Sequence, residues 1–136
     1  MGLLQGVRVL DLSRVLAGPW ASQLLADLGA DVIKIETPGG DQMRPLPDVF
    51  DAANRGKRDV VLDLKTPEGL AAAHRLVATA DVVTHNLRPG KADKLGIGYE
   101  TLKAIKPDVV YLFLPGYGSK GPKSLLKAFA PLISGW

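Results

Sequence analysis

The sequence predicts an α/β fold: an open, mostly parallel, Rossmann-like sheet with helices on both faces, forming part of a larger domain. Three observations predict it. Short runs of branched apolar residues recur along the chain, and segments with apolar residues three or four apart alternate with them. The first strand, helix and second strand fit into about 30 residues, the length of a βαβ unit. Such a unit implies parallel pairing and a right-handed crossover.

Residues 7–12 (VRVLDL) read as the first strand. Residues 19–30 (PWASQLLADLGA) follow as a helix. Pro19 suits the first turn, where its missing N–H has no partner to lose. Trp20, Leu24, Leu25 and Leu28 mark its apolar positions, and Gly29 suits a left-handed end. Residues 31–36 (DVIKIE) return as a second strand, and residues 37–48, with three prolines and two glycines, read as a loop. A polar turn at residues 54–58 leads to a third strand at 58–64 (RDVVLDL). Thr66-Pro67-Glu68 is a helix start: threonine caps, proline is pre-shaped, and glutamate meets the positive helix end. Leu70, Ala73, Leu76 and Val77 line one face of that helix. A fourth strand is predicted at 81–84, a short helix at 99–106, a fifth strand at 108–114, and a helical start at 125–133.

The 136 residues amount to one domain, or most of one. With 46% apolar and 23% charged residues, a folded core is within reach without staples. The absence of cysteine excludes disulfides, thiolate nucleophiles and thiolate zinc sites. Two histidines, His74 and His85, are too few for a histidine-rich metal site, so no metal is expected. The net charge of +3 is mild and its basic residues are scattered, which argues against a nucleic-acid partner. No apolar stretch is long enough to span a membrane. The N-terminus lacks the pattern of a secretion signal, so the cytoplasm is the expected compartment. The apolar end at residues 129–136 (FAPLISGW) suggests a chain cut within a larger fold.

In parallel sheets, ligands bind beyond the carboxyl ends of the strands, where strand order reverses. Loops 13–18, 37–44, 85–90 and 115–121 fall there. The first lacks G-x-G-x-x-G, which argues against a conventional dinucleotide site, and no Walker A run is present. Arg14 and Arg44 could grip phosphate with their guanidinium forks or simply be solvated. Asn86 could brace its own turn or bond a ligand. His85 reads as a strand-end polar residue rather than a base. Asp11 and Asp63 interrupt apolar runs and are either buried and paired or turned to a sheet edge. These residues reach an α/β ligand-binding domain, and no reaction.

Four stretches carry a resemblance beyond that: VRVLDLSRVLAGPWASQLLADLGADVIKIETPGGD, NRGKRDVVLDLKTPEG, ADVVTHNLRPGKADKLGIGYETLKAIKPDVVY and PGYGSKGP. In this order they resemble the class III CoA-transferases, which include formyl-CoA:oxalate, carnitine-derivative and bile-acid CoA-transferases, and the related α-methylacyl-CoA racemases. The resemblance implies that residues 1–136 are the N-terminal, coenzyme-A-binding part of the large domain, with the catalytic segment and small domain outside the chain. It implies an intact parent that is a homodimer of interlocked subunits. The parent would transfer CoA from an acyl-CoA to a carboxylic acid acceptor through an aspartyl anhydride and an enzyme–CoA thioester.

By the same resemblance, Val15 and Leu16 in the first loop and Thr37 after the second strand contact CoA. Asn86 lies near the pantetheine, and Lys94 and Leu95 by the nucleotide. Many relatives carry arginine where this chain has Thr37, so that contact is either weakened here or supplied by another residue such as Arg44. The nucleophilic aspartate falls beyond the position matching Trp136, so no catalytic residue is assigned and the chain alone is expected to be inactive. The racemase branch carries Gly-His-Asp where Ala128, Phe129 and Ala130 stand here, and phenylalanine cannot shuttle a proton. Racemisation stays as the alternative, as does a non-enzymatic CoA-binding or dimer-forming role.

Overall fold

Five runs of branched apolar residues lie side by side in the computed structural model, which describes residues 2–128. They are β1 (Arg8–Asp11), β2 (Asp31–Glu36), β3 (Arg58–Val61), β4 (Val82–His85) and β5 (Val110–Phe113). Their order across the sheet is β3-β2-β1-β4-β5, and every pairing is parallel. The chain therefore moves outward from β1 to β3, then returns past β1 to lay down β4. Strand order reverses between β1 and β4.

The alternation of each strand sorts its side chains between two layers. Leu10, Ile33, Ile35 and Val83 point to one face and pack with Val77, Ala80, Ala92, Ile97 and Leu102. That layer is built by α3 (Pro67–Val77), α4 (Lys91–Lys94) and α5 (Tyr99–Ile105). Val9 and Val32 point the other way, toward Leu25 and Ala26 of α1 (Ala17–Asp27). The two helix layers follow from right-handed crossovers in opposite directions along the sheet.

Local chemistry sets most boundaries. Gly29 follows α1 at φ +100°, with its Cα against Gly2, where a side chain would meet backbone. Thr66 caps α3 by accepting from Gly69 N at 3.1 Å while donating to the Asp63 carbonyl at 2.9 Å.

Besides shifts of one to three residues at other element ends, the structure departs from the predicted elements in four places. The predicted loop at 37–48 ends early, because α2 (Pro47–Asn54) begins at Pro47 with Asp48 in its first turn. Both are helix-start signals, masked in the sequence by two further prolines nearby. The third strand stops at Val61 rather than residue 64: Leu62 still donates to Glu36 O at 2.8 Å, and Asp63 then turns to receive Thr66. The short α4 was not expected. Residues 125–128 form a turn and irregular chain rather than the start of a helix, and 129–133 of that predicted segment lie outside the described residues. Among the described residues no helix is long and apolar enough to cross a membrane.

Candidate functional site

At the carboxyl end of the sheet, the loop after β1 and the loop after β4 face each other across the reversal of strand order. They are stapled together by one side chain. Asn86 Nδ2 donates to the Arg14 carbonyl at 2.7 Å, and Asn86 Oδ1 accepts from the Arg14 amide at 2.9 Å. A side-chain amide carries its donor and its acceptor on separate atoms, which lets it meet the carbonyl and the N–H of one residue together. Gly18 packs beside the staple, and a Cβ there would overlap the Ser13 side chain.

Two cavities open on either side of this staple and share Arg14 and Leu87 as a common wall. The first, of about 510 Å³, lies over the ends of β1, β2 and β3 and includes Thr37 and Leu95. Leu12, Ile35, Leu62 and Leu64 give it an apolar floor; Arg14, Lys65 and Lys91 supply positive charge, and Glu36 and Asp63 also reach its wall. The second, of about 540 Å³, is lined by Val15, Leu16, Asn86 and Arg88, with Leu114 and Pro115 beyond β5. Each falls in the size range of small-molecule sites.

The charges around these cavities are of two kinds. Arg44 is engaged, with its guanidinium making two 2.7 Å bonds to Glu36 and one of 2.8 Å to Asp59 while lying 4.4 Å from the Phe50 ring centre. That guanidinium holds the Glu36 carboxyl below the usual range, against the upward push of burial. By contrast, no hydrogen bond or ion pair within the described residues occupies the side-chain nitrogens of Arg14, Lys65, Lys91 or Arg88. Cations left unpaired around an apolar floor suit an anionic ligand with an apolar body.

The predicted contact residues therefore divide. Val15, Leu16 and Asn86 meet in the second cavity, and Thr37 and Leu95 in the first. Lys94 stands exposed on α4 beside Leu95, and Arg44 is turned to its carboxylates; neither lines these two cavities. Sequence reasoning missed Lys65, Leu87, Arg88 and Lys91. Their signal was positional, since each closely follows a predicted strand.

Beneath the loops lies a buried polar layer. Asp11 accepts from the Ser13 amide at 2.9 Å, from the Ser13 and Ser22 hydroxyls, and from Lys57 Nζ at 2.9 Å. Lys57 also donates to the Pro19 carbonyl at 2.8 Å and to Asn54 Oδ1 at 2.9 Å. Burial pulls the Lys57 ammonium below its ordinary pKa, and the Asp11 charge opposes that pull. Of the two readings of Asp11, the buried and paired one holds. Asp63 is half-buried beyond the end of β3, its carboxylate accepting from the Lys65 amide at 3.0 Å.

His85, at the end of β4, anchors the other side. Its Nδ1 accepts from the Leu87 amide at 3.2 Å, so Nε2 carries the proton and donates to Tyr111 Oη at 2.7 Å. Tyr111 in turn donates to the Ile97 carbonyl at 3.1 Å. Burial lowers the His85 pKa to about 4, with partial compensation from Asp93. Burial raises the Tyr111 pKa to about 12, reinforced by Asp93. A histidine held neutral and bonded through both nitrogens is a brace rather than a proton shuttle. Among the described residues no three His, Asp or Glu side chains converge as a metal site.

These features define a parallel α/β protein with a cation-lined double cleft where its strand order reverses. The chain belongs to CoA-transferase family III, whose model matches residues 4–134. It is 46% identical to a succinate–glutarate CoA-transferase of Agrobacterium fabrum, over 97% of this chain and 37% of that protein. It is 42% identical to a formyl-CoA:oxalate CoA-transferase of Streptomyces coelicolor, over 93% of this chain and 32% of that protein. The crystal structure of a CAIB/BAIF family protein from Brucella suis superposes with a TM-score of 0.95 at 44% identity, covering 98% of this chain and 39% of that one. The chain thus spans 32% to 39% of the length of these relatives.

Proposed function

We propose that the intact protein transfers CoA between two carboxylic acids and that this chain supplies its CoA-binding half. The observation that carries the reading is the pair of cavities sharing Arg14 and Leu87, with unpaired cations around the first. The nucleotide lies in the first cavity, its ring on the leucine and isoleucine floor and its phosphates toward Arg14, Lys65 and Lys91. The pantetheine arm crosses the Arg14–Asn86 staple into the second, more apolar cavity. The relatives named above, all but one named for CoA transfer, support this assignment.

The reaction that the family resemblance brings is covalent. An aspartate carboxylate attacks the donor thioester carbonyl, forming an acyl-aspartyl anhydride and expelling CoA as its thiolate. The thiolate attacks the aspartyl carbonyl, releasing the donor acid and leaving an enzyme–CoA thioester. The acceptor carboxylate then enters, and a second anhydride is resolved by the thiolate into the product thioester and the free aspartate. The buried carboxylates of Asp11 and Asp41 are unsuited to the nucleophile's role: Asp11 is enclosed by four donors and Asp41 is tied to loop amides. The parent works in the cytoplasm as a homodimer. Exposed apolar side chains on α1 (Trp20, Leu24), at Leu28 just after it, and on β5 (Val110, Leu112) support further protein covering this half in the intact assembly.

Calorimetric titration with CoA tests the reading. The chain should bind CoA, and Arg14→Ala should weaken binding by about tenfold, the loss expected for one charge-assisted contact. The intact parent should exchange CoA between acids while this chain does not. No heat of binding at millimolar CoA would overturn the assignment.

A further inference from the structure

A parallel sheet covered on both faces ordinarily carries apolar side chains on both. On the α1 side this sheet carries a polar row instead. Register sets Lys34 of β2, Asp11 of β1 and Thr84 of β4 side by side. They are exposed by only 1%, 0% and 2%. Burying these charges has a desolvation cost that apolar residues of equal volume would not incur.

What the row contacts suggests its use. Lys34 Nζ donates to the Ser13 carbonyl at 3.0 Å and lies 2.9 Å from Asp41 Oδ2. At that distance the contact is a buried, charge-assisted ion pair. The other oxygen, Asp41 Oδ1, accepts from the Met43 amide at 3.0 Å and reaches the Val15 amide at 3.4 Å. One buried ion pair thus ties the loop after β1 to the loop after β2. Within the first loop Val15 sits at φ +70°, a left-handed conformation that a β-branched residue adopts only under constraint. Neither Lys34 nor Asp41 lines either cavity.

We propose that the Lys34–Asp41 pair positions the ligand cleft: it holds turn 13–16 in the one shape that sets Val15 and Leu16 on the second cavity and Arg14 between the two. Both are positioning residues, acting through the loop and never touching the ligand. The inference rests on the CoA-binding reading of the cleft.

Three variants of the chain test it: Lys34→Met, Asp41→Leu and the two combined. Either single change strands a buried charge and should lower the melting temperature sharply. The double variant removes both charges and should recover much of that loss. Its CoA affinity should stay about tenfold below wild type, as for a loop that holds its binding shape a tenth of the time. A double variant that regains wild-type affinity together with stability would overturn the proposal. Amide exchange at Arg14, Val15 and Leu16 separates this failure from failure of the CoA reading. Faster exchange at these amides in the double variant supports positioning even if CoA binds neither protein, whereas unchanged exchange sinks it. Should that double variant not fold, Lys34→Met combined with Asp41→Asn carries the same exchange test, because asparagine keeps the volume and the Met43 contact while no buried charge is left stranded.

Discussion

Acidification should unlock the loop after β4 through a single histidine. The imidazole of His85 is 3% exposed and titrates near 4 in the folded chain, against an ordinary value of 6.5. Between those values the unfolded chain holds the extra proton and the folded chain does not. Stability therefore falls as pH drops through this window, and the contribution is intact only above about 6.5. The gap of about 2.5 units, at roughly 1.36 kcal/mol per unit, amounts to about 3 kcal/mol. Protonation of Nδ1 would also end its acceptance from the Leu87 amide, which ties this histidine to the shared wall of both cavities. Urea unfolding at half-unit steps from pH 7 to pH 4, on wild type and His85→Gln, measures the effect. Glutamine carries no charge in this range, so its curve should fall less steeply, by a cumulative difference of about 3 kcal/mol at pH 4. Carboxylates that also titrate near the lower limit act equally on both proteins and cancel in the comparison. Parallel curves would refute the claim that His85 is buried neutral.

Other outcomes follow from the same geometry. Asn86→Ala removes both bonds of the staple and should cost about 2 kcal/mol in denaturant unfolding while weakening CoA binding. Asn86→Asp sets a second acceptor against the Arg14 carbonyl; its deficit relative to wild type should shrink below about pH 4, where the protonated acid donates again. Gly18→Ala drives a methyl group into Ser13 and through it against buried Asp11, so the melting temperature should drop by several degrees, consistent with about 1–3 kcal/mol of overpacking. Below about pH 4, stability should fall further as Asp31, held low by its bonds to Arg58 and Arg8, takes up its proton, and Asp31→Asn should flatten that part of the curve.

What could be read from residues alone was local. The run DVIKIE becomes β2 at the predicted limits, because Val32, Ile33 and Ile35 fall between Gly29-Ala30 and Pro38 and favour extended chain. Thr66-Pro67-Glu68 starts α3 where its cap chemistry says it should. The residues that resisted are those whose partners arrive from elsewhere in the chain. Lys34, inside an apolar run, gives no sign that Asp41 and the Ser13 carbonyl will enclose it. Arg44 looks free for phosphate until the loop folds back and delivers it to Glu36 and Asp59. Lys65 follows β3 whereas Leu87 and Lys91 follow β4, and the three share a cavity only when strand order reverses beside β1. The α2 start was present at Pro47-Asp48 but was outweighed by the prolines around it.

Amide chemical-shift mapping during a CoA titration tests the double cleft most directly. Perturbations should gather on Arg14, Leu16, Thr37, Leu87 and Leu95, while Arg8, Asp31 and Arg58 at the far end of the sheet stay in place. Saturable shifts centred on that far end, or none at millimolar CoA, would contradict a coenzyme site at the carboxyl ends of β1, β2 and β4.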